Sequence, residues 1–175
     1  MLRAPLDVLL VRKIGAPLQG ELAMGAVVDG AAPEIVRNED VVRELGVTDA
    51  EFQKAAKEEL KILEARRALW VAGHARVPLK DRTVIVVDDG IATGATILAS
   101  LHALKKQGPK RIVVATPVAP PGTVQSLLQV ADDVICLETP DYFRAVGSYY
   151  RDFSQVSDAR VTRILESMSG QALAS

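Results

Sequence analysis

Short aliphatic runs alternate with amphipathic segments along the second half of the chain, and this alternation constrains the fold most. The β-branched runs occupy residues 83–87, 111–116 and 134–137. Apolar residues at helical spacing occupy 95–107 and 121–130 between them. Strands that alternate with single helices are joined by right-handed crossovers and lie parallel in one sheet. The pattern therefore predicts an α/β fold built on a parallel sheet.

The start of the chain has a different pattern. The apolar run at 6–12 fits a strand that is covered on both faces. Two glycines and a proline interrupt the stretch 13–21, which predicts an exposed loop. The apolar pattern resumes at 22–28, and 32–36 fits one further edge strand. We expect a strand, a long mobile loop and a return strand in this region.

Helix-capping residues mark the segment that joins these two regions. Asn38 can cap a short helix that ends at Gly46. Thr48 and Glu51 form a capping box, in which each side chain can satisfy an unpaired amide at a helix start. Apolar residues at helical spacing then continue to about residue 72. We expect one long helix over this segment.

The composition excludes several classes of protein. The chain has 175 residues, of which 49% are hydrophobic, enough for one domain over residues 1–175 with a substantial core. A net charge of −1 gives no electrostatic basis for nucleic acid binding. Apolar runs reach only about five residues, too short to cross a membrane. A single cysteine allows no disulfide framework, so we expect a cytoplasmic protein. The low net charge and the short apolar runs predict neither a nucleic acid partner nor a membrane partner.

The stretch VIVVDDGIATGAT, residues 84–96, places two acids directly after a predicted strand. In parallel α/β sheets, ligands bind beyond the carboxyl ends of the strands. Asp88 and Asp89 stand at such an end, where they can accept hydrogen bonds from a vicinal diol. A divalent cation that shares the diol would relieve the repulsion between the two carboxylates.

The small residues after the acids can bind phosphate. The loop leads into a helix whose first amides have no partner within the helix, and these amides and the helix dipole favour an anion. Gly90 and Gly94 let the backbone approach a ligand closely, while Thr93 and Thr96 add hydroxyl donors. A sugar phosphate satisfies both halves of the stretch. The alternative is a strand–turn–helix corner with polar residues at its rim.

This stretch resembles the phosphoribosyl pyrophosphate signature of the type I phosphoribosyltransferases, and the order of elements from residue 6 to about 153 is similar to that family's. The resemblance implies a parallel-sheet, Rossmann-like three-layer α/β/α fold with a mobile hairpin loop and a small hood over about 139–156. It implies that Asp88 and Asp89 hold the ribose hydroxyls and act in catalysis, with Mg²⁺ as cofactor. The implied substrate-binding residues are Asp88, Asp89, Gly90, Ile91, Ala92, Thr93, Gly94, Ala95 and Thr96.

Arg12 and Lys13 match the Arg-Lys pair that opens the mobile catalytic loop in several members of that family. The resemblance places this loop at about 13–25, where it would close over the pyrophosphate and exclude water. The resemblance then makes Lys13 a catalytic residue that neutralises charge on the departing diphosphate. Arg12 would lie on the same pyrophosphate side of the substrate. A solvated basic strand end remains the alternative for this pair.

Two features bear on the acceptor base. Ala92 occupies the position of an aspartate in the hypoxanthine-guanine enzymes of the family, and the adenine enzymes also have alanine there. The segment 145–153 is loosely similar to the hood of the oxopurine enzymes, in which an aromatic ring stacks on the base. We therefore expect the acceptor to be a purine-like base, with a role for the enzyme in purine salvage. The stacking candidates are Tyr142, Phe143, Tyr149, Tyr150 and Phe153, although each could also be a core aromatic residue.

The resemblance implies a homodimeric enzyme that transfers 5-phosphoribose from phosphoribosyl pyrophosphate to a nitrogenous base and releases pyrophosphate. Family members normally carry a further strand and a glycine-containing pyrophosphate loop ahead of the position of residues 6–12, and the sequence has no equivalent segment. We expect either a shortened version of a longer protein or a pyrophosphate subsite that is built differently. The alternative function is a regulatory module that binds phosphoribosyl pyrophosphate or a nucleotide without turnover.

Overall fold

The computed structural model describes residues 4–17, 19–30, 33–71 and 76–169. The chain forms two compact units: unit 1 is Met1–Pro78 with Gln155–Ser175, and unit 2 is Leu79–Ser154. In chain order, the elements are β1 (Val11–Ala16), β2 (Gln19–Val28), β3 (Glu34–Arg37), α1 (Glu39–Glu44), α2 (Asp49–Trp70), β4 (Thr83–Val87), α3 (Ala95–Lys105), β5 (Arg111–Val118), α4 (Pro121–Leu128), β6 (Asp133–Glu138), a 3₁₀ helix (Val146–Tyr149) and α5 (Asp158–Ser169). Over the described ranges, each helix is too short or too polar to cross a lipid bilayer.

Unit 1 contains an antiparallel sheet in the order β1-β2-β3. β1 and β2 form a hairpin in which Val11 lies opposite Val28. The irregular loop predicted over 13–21 is therefore wrong, because the described residues 13–16 and 19–21 lie in these two strands. The family resemblance implied a hairpin loop at about 13–25, and β1 and β2 form a hairpin at this position. Antiparallel pairing satisfies the backbone groups of this glycine-containing segment, and register shifts on either side of Gly15 absorb its irregularity.

The strand predicted at 6–12 is also wrong in position, because the β1 ladder begins only at Val11. An apolar run becomes a strand where a neighbouring strand pairs with it, and the described residues 4–10 lie in no ladder. Leu10 is nevertheless buried, and its carbonyl accepts a hydrogen bond of 2.8 Å from the Asp29 amide. The return strand predicted at 22–28 is confirmed within β2.

The edge strand predicted at 32–36 corresponds to β3, with residue 32 outside the described residues. Both predicted helix caps are confirmed: the Asn38 side chain accepts from the Val41 amide, and Thr48 and Glu51 form the capping box of α2. The Thr48 hydroxyl donates to the Glu51 carboxylate, which lowers the pKa of that carboxyl. The long helix ends at Trp70, and residue 72 lies outside the described residues.

The core of unit 1 lies between its hairpin and α2. Ile14 and Met24 contribute from the strands, and Phe52 and Leu63 contribute from one face of the helix. All four side chains are at most 1% exposed. Burial of a side chain of this size contributes about 1.5–3 kcal/mol, so this cluster is the main apolar contribution to the stability of unit 1.

Unit 2 contains the predicted parallel sheet, in the order β4-β5-β6. Val84 lies opposite Ile112, and Val114 lies opposite Val134. Two helices, α3 and α4, connect the three strands in sequence order. The parallel α/β arrangement predicted from the alternating runs is thus confirmed, with strand bounds within two residues of those expected.

The two faces of this parallel sheet differ in burial. Ile112 and Val114 of β5 lie on one face and are at most 1% exposed. Val87 of β4 and Leu137 of β6 lie on the other face and are each 74% exposed, with Ile135 on the same face also exposed. One-sided burial still fixes the register, because a slip of one residue would expose the buried set. The carboxyl ends of β4 and β5 are therefore held in place next to each other.

Candidate functional site

Asp88 and Asp89 follow directly on β4, at the carboxyl end of the parallel sheet. The Asp88 amide donates to the Ala115 carbonyl at 3.2 Å, which extends the contact between β4 and β5 by one residue. The Asp89 amide instead donates to Oδ1 of Asp88 at 2.9 Å. The chain therefore leaves the sheet between the two acids, with Asp88 half-buried and Asp89 exposed.

The acidic pair is electrostatically unfavourable in the absence of a ligand. Burial raises the pKa of the Asp88 carboxyl, the hydrogen bond from the Asp89 amide lowers it, and the Asp89 charge raises it again, with a net upward shift. Within the part of the chain that the structure describes, no ion pair neutralises either acid. The pair is therefore a local concentration of negative charge that a cation or hydroxyl donors would stabilise.

The loop after the acids is anchored at Ile91 and ends at the start of α3. Ile91 is 3% exposed, and its amide donates to the Val118 carbonyl at 3.0 Å. Gly94 is the N-cap residue of α3 and has a φ of 77°, a left-handed conformation that favours glycine. A glycine N-cap has no side chain to bond to the first amides of the helix. The start of α3 is therefore a suitable position for an anion.

The other predicted phosphate-binding residues lie on the same loop. Ala92, Thr93, Ala95 and Thr96 are exposed, so a ligand can reach them. A residue of α4 fixes the backbone of the loop, because Oγ1 of Thr123 donates to the Ala92 carbonyl at 2.6 Å. The loop thus combines a fixed backbone with accessible small and hydroxyl side chains.

Gly90 approaches the hood, the segment 139–156 introduced above. A Cβ atom on Gly90 would lie 2.4 Å from Cγ1 and 2.9 Å from Cγ2 of Val146. Both distances are well inside van der Waals contact, so a larger residue would displace the hood or the loop. The sequence suggested that this glycine lets the backbone approach a ligand, whereas the structure shows a close approach between two segments of unit 2.

Four of the five aromatic residues of the hood form two pairs. Phe143 and Tyr149 are stacked with their ring centroids 5.6 Å apart. Tyr150 and Phe153 are tilted with centroids 5.1 Å apart. The Tyr150 hydroxyl donates to the Asp89 carbonyl at 2.6 Å, so the polar end of this ring contacts the acidic loop. Tyr149 and Phe153 remain 40% and 50% exposed, as stacking on a base would require.

Sequence reasoning missed the contacts that hold the loop from outside. Thr123 is 31 residues from Ala92, and Tyr150 is 61 residues from Asp89. Tyr142, the most exposed of the stacking candidates at 93%, offers its carbonyl to the Tyr149 hydroxyl at 3.3 Å. No local spacing rule marks such partners, because they meet only through the fold.

Arg12 and Lys13 lie in β1 of unit 1, beside a cleft of about 550 Å³ that α2 also lines. Nε of Arg12 forms a hydrogen-bonded ion pair with the Glu59 carboxylate of α2. Lys13 is exposed and lines the same cleft, together with Glu58. The charge of Arg12 is therefore balanced within unit 1.

The acidic pair fits a magnesium ion that is bound together with a substrate. Among the described residues, no group of three or more His, Cys, Asp or Glu side chains could hold a metal ion alone. Mg²⁺ is commonly bound through one or two carboxylates, substrate phosphates and several waters. Asp88 and Asp89 can supply that partial oxygen set, and a cation would relieve their repulsion.

A comparison with protein families identifies the chain's relatives. A family model described as the phosphoribosyl transferase domain matches residues 23–154. This range is more than half of the chain and includes the complete acidic loop. It extends across parts of both units.

Individual relatives agree with this match. A Mycobacterium tuberculosis protein named "Putative phosphoribosyl transferase" is 42% identical over 165 residues. The alignment covers 94% of this chain but only 37% of that protein, so the chain spans little more than a third of its relative's length. The uracil phosphoribosyltransferase of Staphylococcus haemolyticus is 37% identical over 62 residues, 34% of this chain and 30% of its own.

A solved structure has the same fold. The crystal structure of the protein TT1426 from Thermus thermophilus is 40% identical and superposes with a TM-score of 0.79. The superposition covers 95% of this chain and 77% of that one. The fold class implied by the sequence resemblance is confirmed by this likeness together with the family match.

Proposed function

The chain belongs to the phosphoribosyl transferase family, and we propose that it transfers 5-phosphoribose from phosphoribosyl pyrophosphate to a nitrogenous base. One observation carries this proposal: two carboxylates without ion pairs among the described residues share a loop with a glycine-capped helix start. A carboxylate pair accepts hydrogen bonds from a diol, and a helix start binds phosphate. A sugar phosphate presents both groups on one small molecule.

The residues of the loop would divide the substrate between them. Asp88 and Asp89 would accept hydrogen bonds from the two ribose hydroxyls, which replace the hydration that Asp88 loses by its partial burial. The hydroxyls of Thr93 and Thr96 and the first amides of α3 would hold the 5′-phosphate. The substrate would then be fixed at both ends of its ribose.

The reaction breaks one bond and forms another at ribose C1. The bond from C1 to the pyrophosphate oxygen breaks, and pyrophosphate leaves with the electron pair. The base nitrogen forms the new bond to C1 and loses its proton to solvent. Positive charge develops on the ribose ring, and the nearby carboxylates stabilise it. Mg²⁺ bound with the substrate would supply positive charge against the pyrophosphate oxygens.

The acceptor is proposed to be a purine-like base. The exposed rings of Tyr149 and Phe153 support this choice, because a flat base gains most by stacking on an aromatic face. Uracil is the competing acceptor, because relatives named for it match about a third of this chain. A panel of nucleobase acceptors separates the two.

The central experiment incubates the chain with phosphoribosyl pyrophosphate, Mg²⁺ and single nucleobases, and measures the pyrophosphate released. We expect release with a purine and little with uracil or without base. Release only with uracil would show that the acceptor is uracil and not a purine. Binding of phosphoribosyl pyrophosphate with no pyrophosphate release, whichever base is added, would support the regulatory binding module. Absence of both binding and release would refute the proposed function.

The role of Lys13 can be tested by comparing two ligands that differ only in pyrophosphate. Lys13→Ala should weaken binding of phosphoribosyl pyrophosphate roughly ten- to a hundredfold and leave ribose 5-phosphate unchanged, because loss of a charge-assisted contact costs roughly 1.5–3 kcal/mol. Lys57→Ala, at another exposed lysine of unit 1, is the matched control. Equal loss of both ligands would assign Lys13 to a structural role.

The proposal includes a homodimer, which the family resemblance implies. Light scattering should give twice the chain mass of 18.8 kDa. A mass of one chain at assay concentration would remove the dimer from the proposal without affecting the chemistry of the acidic loop.

A further inference from the structure

One hydrogen bond from the hood reaches the backbone of the acidic pair. The Tyr150 hydroxyl donates to the Asp89 carbonyl at 2.6 Å, a normal length for a hydroxyl donor. The two residues are 61 positions apart, so the contact is not a product of local turn geometry. The bond fixes the peptide that joins the second acid to Gly90.

A second contact from the hood lies at the next residue. Val146 packs so closely against Gly90 that a Cβ atom there would lie 2.4 Å from Cγ1 of the valine. The Asp89–Gly90 peptide is thus held by a polar contact and by a steric one. Both come from the segment that carries the exposed aromatic rings.

The Tyr150 ring is itself held in position. Phe153 packs against it with a centroid distance of 5.1 Å. Phe153 in turn lies against Gly147, where a Cβ atom would come within 2.9 Å of its ring. The phenol therefore has a defined orientation, and its bond to Asp89 costs little further ordering.

The acidic pair needs such support from outside. Asp88 and Asp89 repel each other, and no ion pair holds them among the described residues. A loop with this charge pattern would relax by turning one carboxylate away from the other. An external tie to the backbone prevents that relaxation and holds both carboxylates ready for one ligand.

We propose that Tyr150 is a positioning residue for the acidic pair. Its hydrogen bond to the Asp89 carbonyl, assisted by Val146 on Gly90, orients both carboxylates toward the vicinal diol of a sugar phosphate. The inference rests on the proposed function. It also gives Tyr150 a role other than base stacking, which leaves stacking to Tyr149 and Phe153.

The test compares Tyr150→Phe with Ser126→Ala in the full chain. The second variant is a matched control, because it also removes one hydroxyl of unit 2 that donates to a backbone carbonyl, here that of Gly122 within α4. Calorimetric titration with ribose 5-phosphate should show roughly three- to tenfold weaker binding for Tyr150→Phe, the loss expected for one hydrogen bond. Ser126→Ala should bind within about twofold of the wild type, since its lost bond lies outside the acidic loop.

A second ligand separates positioning from a general effect on folding. The 2,3-dideoxy analogue of ribose 5-phosphate keeps the phosphate but lacks the diol, so the wild type and Tyr150→Phe should bind it equally. Tyr150→Phe that binds ribose 5-phosphate as tightly as the wild type overturns the proposal. So does an equal loss of affinity for the analogue. If Tyr150→Phe does not fold, Val146→Ala takes its place, because it loosens the adjacent contact.

The same measurements distinguish this proposal from the function on which it rests. A wild-type chain that binds neither ribose 5-phosphate nor phosphoribosyl pyrophosphate refutes the proposed function, and the positioning role falls with it. A wild-type chain that binds both, with no difference between it and Tyr150→Phe, refutes the positioning role alone.

Discussion

The two units each carry an aspartate at the end of a strand, and these two aspartates have opposite surroundings. Asp29 follows β2 in unit 1, is 2% exposed, and forms ion pairs with Arg67 and Arg76. Asp88 follows β4 in unit 2 and faces Asp89 instead. A buried carboxylate with its charge balanced is costly to remove because its partners would be left unpaired, whereas one that faces a like charge remains available to a ligand.

The environment of Asp29 shows how completely such a charge can be satisfied. Its amide donates to the Leu10 carbonyl at 2.8 Å, and each carboxylate oxygen contacts one guanidinium. Arg67 also lies 3.8 Å from the Asp7 carboxylate, measured from Nη2 to Oδ1. Asp29 thus joins the end of β2 to α2 and to the segment that follows that helix. Four predictions test the contrast between this site and the acidic loop.

The largest effect is expected from Asp29→Asn. This change leaves Arg67 and Arg76 without their buried counter-charge, and removing one partner of a buried pair costs about 3–5 kcal/mol. Urea denaturation of the variant and the wild type gives the free energy of unfolding. Asp88→Asn is the matched control and should show no loss. A cost below about 1 kcal/mol for Asp29→Asn would remove the contrast between the two acids.

The next effect concerns the close approach at Gly90. Gly90→Ala places a methyl group 2.4 Å from Cγ1 of Val146, and overpacking of this kind costs about 1–3 kcal/mol. The double variant Gly90→Ala with Val146→Ala should recover most of the loss, because it removes both clashing methyl groups of the valine. Thermal unfolding measures both. Absence of recovery in the double variant would mean that the cost arises elsewhere.

A smaller effect is expected on binding from Asp88→Asn combined with Asp89→Asn. Affinity for phosphoribosyl pyrophosphate should fall more than tenfold, about 1.4 kcal/mol or more, because two charged acceptors of the diol are lost. The melting temperature should stay unchanged or rise, since the repulsion between the acids disappears. Reduced stability with intact binding would show that these acids serve the fold, as Asp29 does.

The smallest effect is the pH dependence of Asp88. Its pKa is raised by folding, so its favourable contribution is present below the unfolded pKa of about 3.9 and is lost as pH rises through the folded value. Asp88→Asn should therefore match the wild type near the acidic end and become the more stable protein toward pH ~7. Calorimetric melting temperatures of both proteins, measured from acid pH to pH ~7, test this expected difference in stability. A difference that grows toward acid pH contradicts the raised pKa.

Much of unit 2 was predictable because its signals are local. The β-branched runs predicted the bounds of β4, β5 and β6 to within two residues. The stretch from Asp88 to Thr96 forms one loop and the start of α3, as its glycines and its position between a strand and a helix predicted. Strand, turn and cap chemistry act between residues that are close in the sequence. The roles of the individual residues on this loop stay predictions until ligand binding is measured.

Unit 1 was less predictable because its strands depend on their partners. The glycines and proline between residues 13 and 21 indicated a loop, yet pairing with neighbouring chain makes most of the described part of this stretch a hairpin. The apolar run at 6–12 indicated a strand, yet its described residues up to Leu10 lie in no ladder. Whether a segment forms a β-strand depends on the strand that pairs with it, and the sequence of one segment does not identify that partner.

By itself, the sequence determined the parallel α/β unit, the two helix caps of unit 1 and the position of the acids at a strand end. The tertiary structure alone decided which carboxylate is neutralised and which is not. It also decided that Tyr150 and Val146 contact the acidic loop. The reason is physical: hydrophobic period and capping act within a few residues, whereas charge balance and close packing depend on groups that only folding brings together.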